Sequence, residues 1–275
     1  MSVFQAFILG LVQGVTEFLP VSSSAHLVLV PEFFNMPAPT VAFDVLLHVA
    51  TLVAVVGYFI GDVVKIVVAL FKPKRMSKED VRYWRRLFFW LVIGSIPAAV
   101  IGAALSGFFE GLFASTAAVG IFLVVTSLLL WGSDLAMARA ADRERNGARL
   151  GQMGPVDAVV VGFYQALAIA PGLSRSGSTI AAGIFLCFSR ETAARFAFLL
   201  SIPAILGAFL FKLKDLGGAS GGPGGAALFV GFLAAAVSGF FAVRFMMRFL
   251  KNHRLRPFAI YTLVLGVFVI VLSLA

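Results

Sequence analysis

The chain has 275 residues, 60% of them hydrophobic and only 13% charged, with a mean hydropathy of +1.00; this excludes an ordinary soluble globular domain and indicates a polytopic membrane protein. A net charge of +9 would suggest nucleic-acid binding in a soluble chain, but here its distribution points to membrane orientation, and no nucleic-acid partner is expected. The lone Cys187 excludes an internal disulfide and a cysteine-only metal site, leaving packing as its default role.

Along the chain, the first charged side chain is Glu17, so the N-terminal stretch lacks the basic region of a cleaved signal peptide and reads as a retained membrane element. Apolar residues 2–19 break at Pro20 and resume over 22–34. Six spans follow: 41–61, which carries Asp44 and His48, then 87–109, 111–133, 192–211, 216–243 and 257–275. Between the third and fourth spans, 156–171 breaks at Pro171-Gly172 and resumes over 175–188. A helix of 13 or 14 residues reaches only about 20 Å, short of the ~30 Å hydrocarbon core, so 2–34 and 156–188 are predicted as re-entrant helical hairpins. Residues 134–155 link the halves, and Gly217–Gly225 reads as a flexible loop. Trp84, Trp90 and Trp131 fall near predicted span ends, where interfacial anchors sit.

The predicted fold is therefore an all-α polytopic membrane protein with six transmembrane helices and two re-entrant hairpins. Its domains are a first repeat over 1–134, a cytoplasmic linker over 135–155 and a second repeat over 156–275. Each repeat is one hairpin plus three spans. Three is odd, so the second half enters upside down, an inverted-topology repeat whose hairpin tips can meet at the midplane. The charges agree. All but Arg175, Lys212 and Lys214 of the 22 basic residues fall on one face, so the 62–86, 134–155 and 244–256 loops are expected to be cytoplasmic and both termini outside.

The repeat is visible in the residues. Gly10, Gln13, Ser22 and Ser24 recur at one fixed offset as Gly162, Gln165, Ser174 and Ser176. Polar clusters are costly in hydrocarbon, so two at matched positions suggest one shared site. In the first hairpin, Gln13 and Glu17 share a helix face, Ser22 and Ser23 stand where an N-cap belongs, and His26 follows at i+4 and i+3. A hydroxyl beside an imidazole can act as a nucleophile, with Glu17 orienting the histidine, accepting a proton or holding a metal. The structural alternative is a capped helix with a buried Glu17–His26 pair, which the cost of ionisable groups in hydrocarbon disfavours.

In the second hairpin, Pro171-Gly172-Leu-Ser174-Arg175-Ser176-Gly177-Ser178-Thr179 combines close backbone approach, helix N-terminal amides and a permanently charged fork, an anion site suited to phosphate. The alternative is a glycine-rich packing motif with an arginine at an interface. No nucleotide motif is present. Asp44 and His48, one helical turn apart, are expected to pair or to line the entrance, and His253 to be solvated. Many of the 29 phenylalanines would face lipid or suit a long apolar substrate.

Gln13-Gly-Val-Thr-Glu17-Phe-Leu-Pro20-Val-Ser22-Ser23-Ser24-Ala-His26 and Pro171-Gly-Leu-Ser174-Arg175-Ser176-Gly-Ser-Thr179 resemble the bacterial undecaprenyl-diphosphate phosphatases, the family associated with bacitracin resistance, and the layout extends the resemblance to the whole chain. The resemblance implies an inner-membrane enzyme that hydrolyses a C55 polyprenyl diphosphate to the monophosphate for the cell-wall carrier cycle. It implies Ser23 as nucleophile, His26 and Glu17 assisting, and Arg175, Ser174, Ser176 and Thr179 on the diphosphate, with Gly172, Ser22, Gln13 and Gln165 completing the binding set. It also implies a divalent cation, Mg²⁺ or Ca²⁺, with Glu17 as its protein ligand. The expected partners are a long-chain polyprenyl diphosphate and membrane lipids, with a homodimer as a candidate assembly. Better-known members carry Glu where this chain has Gln13, and often Thr-Gly where it has Ser24-Ala25. An amide is neither a base nor an anionic ligand, so Glu17 would serve alone. The rival is a lipid-phosphate or anion transporter, which would use Arg175 and the helix ends without Ser23. A non-catalytic scaffold would leave both polar clusters without a purpose.

Overall fold

The computed structural model describes residues 1–113, 115–139, 150–213 and 223–274. Twelve α-helices make up the described residues, with no strand: α1 (Val3–Phe18), α2 (Ser23–Phe33), α3 (Val41–Tyr58), α4 (Ile60–Phe71), α5 (Lys78–Ala104), α6 (Ser106–Phe113), α7 (Thr116–Arg139), α8 (Pro155–Leu167), α9 (Arg175–Phe185), α10 (Arg190–Lys212), α11 (Gly225–Asn252) and α12 (Arg256–Leu274). Six of them, α3, α5, α7, α10, α11 and α12, are long and apolar enough to cross a membrane. They correspond to the six expected spans. The arms of the interrupted segments are shorter: α2 and α9 have 11 residues each, about 16 Å of helix.

Several boundaries depart from the sequence reading. The 62–86 region is no simple loop. Its first part is α4, whose Ile66 and Ala69 are buried while Ile60, Val64, Val67 and Phe71 form an exposed apolar stripe at helical spacing. Helix α5 starts at Lys78 rather than 87, because Ser77 caps it and Glu79 and Asp80 supply first-turn negative charge. It ends at Ala104, and α6 takes up part of the expected loop and span boundary. Trp84 is buried, with the Lys65 ammonium 5.4 Å from its ring centroid, so it is a packing residue rather than a lipid-facing anchor. Most of the expected glycine loop, together with Lys214, Arg143, Arg145 and Arg149, lies outside the described residues.

Small residues set the helix crossings. A Cβ on Gly10 would run into the Gly231 carbonyl, and one on Gly162 into that of Gly94, so α1 can cross α11, and α8 can cross α5, only at backbone contact distance. Gly120 and Gly266 do the same where α7 meets α12. Around these crossings lies an apolar core in which Phe18 meets Phe198 edge-on, with centroids 5.7 Å apart. Phe89, Leu128, Phe229, Phe241 and Val264 point outward, as a lipid-facing surface requires.

The basic loops are fastened by ion pairs. The fully buried Asp134 carboxylate accepts from Arg190 at 3.0 Å and from the backbone N–H of Arg256 at 3.1 Å, which anchors the start of α12 to the end of α7. Asp62 on α4 receives the Arg195 guanidinium at 2.7 and 2.8 Å. His253 is exposed, stacked on Phe249.

Candidate active site

The α1–α2 and α8–α9 connections meet. Ser24 Oγ accepts from the Gly172 N–H at 3.4 Å, and Ser176 Oγ donates to the Leu19 carbonyl at 3.0 Å, so residues remote in sequence share one junction. Gly172 adopts φ of +94°, and its missing Cβ is where the Val119 carbonyl of α7 comes closest. Buried Thr126 of α7 holds this turn from behind, donating to the Gly172 carbonyl and accepting from the Ser174 N–H, both at 3.0 Å.

Glu17 is the hub of the junction. One carboxylate oxygen accepts from Ser23 Oγ at 2.7 Å and from Gln13 Nε2 at 2.9 Å. The other pairs with the Arg175 guanidinium, which reaches across from α9. The carboxylate is almost fully buried and meets a donor from each of Ser23, Gln13 and Arg175. His48 of α3 lies beside it, with Nε2 3.9 Å from Glu17 and Nδ1 against the Asp44 carbonyl at 2.9 Å. Asp44 and His48 pair as expected, with Nδ1 3.6 Å from the Asp44 carboxylate, and His48 borders Glu17.

Two helix N-termini converge on the junction. Ser22 caps α2, accepting from the Ala25 N–H, and sits at φ of +70°, a left-handed conformation uncommon for a residue with a side chain. Ser174 caps α9, accepting from the Gly177 N–H at 3.0 Å, and its hydroxyl lies 3.2 Å from that of Ser176. First-turn amides of both helices lack intrahelical acceptors and offer an anion its donors. Thr179 points its hydroxyl at the Arg175 carbonyl, 2.7 Å away, and so supports the arginine's turn.

His26 is not where a serine–histidine pair would put it. Nδ1 engages the Ser22 carbonyl at 2.7 Å and Nε2 engages the Tyr261 hydroxyl at 2.7 Å, so both ring nitrogens are occupied while Ser23 turns to Glu17. Gln165, the counterpart of Gln13, is buried with neither amide atom hydrogen-bonded, and Ser178 Oγ is likewise unpaired. Sequence reasoning did not single out Thr126 or Tyr261. A signal existed for the first, since Thr126 and Ser127 are adjacent hydroxyls in an otherwise apolar stretch of α7.

The residues fit a hard cation in a limited way. Gln13 Oε1 is buried without a partner beside Glu17, and that oxygen with the carboxylate makes an all-oxygen pair. Among the described residues no three His, Cys, Asp or Glu side chains form a protein cage, so remaining ligands would be water and phosphate oxygens, as Mg²⁺ commonly takes.

Comparison with known proteins agrees over the full length. The chain is 42% identical to an undecaprenyl-diphosphatase of Moorella thermoacetica, covering 98% of this chain and 97% of that protein. It is 42% identical to one of Carboxydothermus hydrogenoformans, covering 100% and 99%, and 43% identical to one of Thermomicrobium roseum, covering 100% of both. The sequence model of the bacitracin resistance protein BacA family matches residues 6–268, a stretch that holds the whole Glu17–Ser23–Arg175 junction, and the chain belongs to that family.

Proposed function

We propose that this protein is a membrane-embedded phosphatase that hydrolyses undecaprenyl diphosphate to undecaprenyl phosphate and inorganic phosphate. The observation that carries the reading is the Ser23–Glu17–Arg175 junction: a half-buried hydroxyl bonded to a buried carboxylate, next to a half-buried guanidinium and two capped helix N-termini, in an apolar protein. A transporter of lipid phosphate would use the arginine and the helix ends but has no need of a serine held on a base. Full-length identity to proteins named undecaprenyl-diphosphatase favours the same activity and the same C55 substrate.

In this reading α1–α2 and α8–α9 are re-entrant hairpins at the centres of two inverted repeats, 1–134 and 156–275. The short arms support it. So do the exchanged crossings, in which each hairpin's first helix packs on the second span of the other half, α1 on α11 and α8 on α5. The protein lies in the bacterial cytoplasmic membrane with its basic loops inside and both termini outside.

Ser23 Oγ attacks the terminal phosphorus as its proton passes to Glu17. The bond from phosphorus to the bridging oxygen breaks, and polyprenyl monophosphate leaves with the proton that Glu17 took, which restores the carboxylate. Water, deprotonated by Glu17, then cleaves the phosphoserine and regenerates Ser23. Arg175 carries five N–H donors, so it can keep Glu17 and still hold the diphosphate, which the Ser174, Ser176 and Ser22 turns and the Gly172 backbone surround. Gln13 and Gln165 flank them, and Gln165 offers its free amide to a phosphate oxygen. His26 keeps the Ser22 turn in shape, and Thr179 that of Arg175. A divalent cation, Mg²⁺ or Ca²⁺, would be held by Glu17 and Gln13 Oε1 and would neutralise charge on the phosphoryl oxygens.

The test is phosphate release from a long-chain polyprenyl diphosphate by purified protein in detergent, with and without EDTA, for wild type, Ser23→Ala and Arg175→Ala. EDTA-sensitive release by wild type that collapses in both variants is expected. Near-normal release by folded Ser23→Ala would overturn serine attack, and no release by folded wild type with any divalent ion would turn the reading to transport.

A further inference from the structure

The left-handed turn at Ser22 stands immediately before the serine proposed to attack. A non-glycine residue is strained there and persists only where its surroundings fix it. The Ser22 hydroxyl caps α2 and meets that of Ser24 at 3.1 Å, and the Ser22 carbonyl is held by the His26 imidazole, whose Nδ1 lies 2.7 Å away. A carbonyl only accepts, so Nδ1 carries a proton, and in the neutral ring Nε2 is left as a bare lone pair. That lone pair faces the Tyr261 hydroxyl at 2.7 Å, and the two rings lie nearly parallel, 8° apart, with centroids separated by 5.8 Å. Only the phenol can supply the proton this bond requires. The chain of bonds thus runs Tyr261 O–H to Nε2, then Nδ1–H to the Ser22 carbonyl, then along the backbone to Ser23.

Tyr261 belongs to α12, far along the chain from α2, and among the described residues its hydroxyl is hydrogen-bonded to His26 alone. A second ring pair, Phe33 with Phe268, joins the same two helices one end further along, with centroids 5.9 Å apart. Phe33–Phe268 is apolar and works by packing alone. Of the two ring pairs, only His26–Tyr261 carries a hydrogen bond that can fix how the histidine ring is oriented.

We infer that Tyr261 is a positioning residue for the phosphatase reaction: its phenol donates to His26 Nε2 and fixes the orientation of the ring, and the ring so held supports the Ser22 turn that presents Ser23 to the diphosphate. The inference rests on Ser23 being the attacking group, but its spectroscopic consequence does not.

The experiment compares wild type, Tyr261→Phe, His26→Ala and the double variant in detergent. Tyr261→Phe keeps the stacked ring and removes one oxygen from a half-exposed site, so folding is preserved. Its kcat is expected to fall about tenfold, the scale of losing a partner that orients an imidazole, with KM within about twofold of wild type. In the His26→Ala background the same change should alter kcat by less than about twofold, since a residue acting through His26 has nothing left to act on. Nitrogen-15 spectra of histidine-labelled protein, with His26 assigned by its loss in His26→Ala, should show an Nδ1–H ring whose Nε2 accepts a hydrogen bond in wild type, and an Nε2 signal shifted toward that of a free lone pair in Tyr261→Phe. Unchanged His26 signals and kcat in Tyr261→Phe would overturn the inference. So would an equal loss of kcat in both backgrounds, which would make Tyr261 a direct substrate contact or a packing residue. If wild type shows the hydrogen-bonded Nε2 while Ser23→Ala remains active, the positioning contact stands and serine attack is what fails.

Discussion

The two interrupted helix pairs are built on one plan and carry opposite chemistry. Both begin with a glycine crossing, Gly10 on α11 and Gly162 on α5, carry a glutamine three residues later, and end in a serine-capped second helix. They diverge one turn after the glutamine. Glu17 stands in the first pair where Ile169 stands in the second, and Ser23 stands where Arg175 does. Gln13 consequently has a carboxylate to hold, while Gln165 is buried with an unpaired amide. The two helix pairs thus bring two matched polar turns together, and the exchange of an acid and a hydroxyl for an aliphatic and a guanidinium makes the pair complementary. Two acids facing each other would repel, and two arginines would leave the junction without a base.

The largest effect that would sharpen this contrast is at Ser23. Ser23→Ala should lower kcat by about a thousandfold or more while Ser174→Ala, a cap on the other pair, lowers it far less, as single-turnover phosphate release would report. Exchanging only the charge partner comes next: Arg175→Lys keeps the charge but loses the fork, and a loss of about 100-fold in kcat/KM is expected. Full activity of Arg175→Lys would reduce the second pair's contribution to simple charge.

At the crossings, Gly162→Val and Gly10→Val should each destabilise the fold by about 1–3 kcal/mol, read as a lower apparent Tm in detergent, since the neighbouring backbone cannot give way. Unequal shifts would show that the two pairs are not equivalent structurally either. The smallest effect is the most discriminating. Gln165→Leu removes a buried amide that has no partner, so Tm should hold or rise by about 1 kcal/mol equivalent, while KM rises if the free amide serves the diphosphate. A fall in Tm with unchanged KM would make Gln165 structural.

How much of this was legible beforehand differs between the two levels. Composition and the length of apolar runs located six spans, because lipid forces each crossing helix to be about twenty apolar residues long, and the helix breaks at Pro20 and Pro171-Gly172 were visible for the same reason. Start signals inside a basic loop were harder to see. Helix α4 and the early start of α5 depend on apolar spacing and on the Ser77 cap, which charge counting overlooks. The matched serines, Glu17, Arg175 and the glutamines were also readable, as polar residues that hydrocarbon tolerates only with a purpose.

What the sequence by itself determined was therefore the all-helical membrane character, the two interrupted segments and the identity of the polar residues in them, since local periodicity and the cost of polarity in lipid act on each stretch separately. Only the tertiary structure decided their pairing. Helix spacing put His26 within plausible reach of Ser23, yet the left-handed Ser22 turns the hydroxyl to Glu17 at 2.7 Å and leaves the imidazole to Ser22 and Tyr261. Helical periodicity fixes which residues share a face, but the contacts Arg175–Glu17, Gly172–Ser24, Thr126–Ser174 and Tyr261–His26 join separate helices, and their geometry is set by how closely glycines let those helices approach.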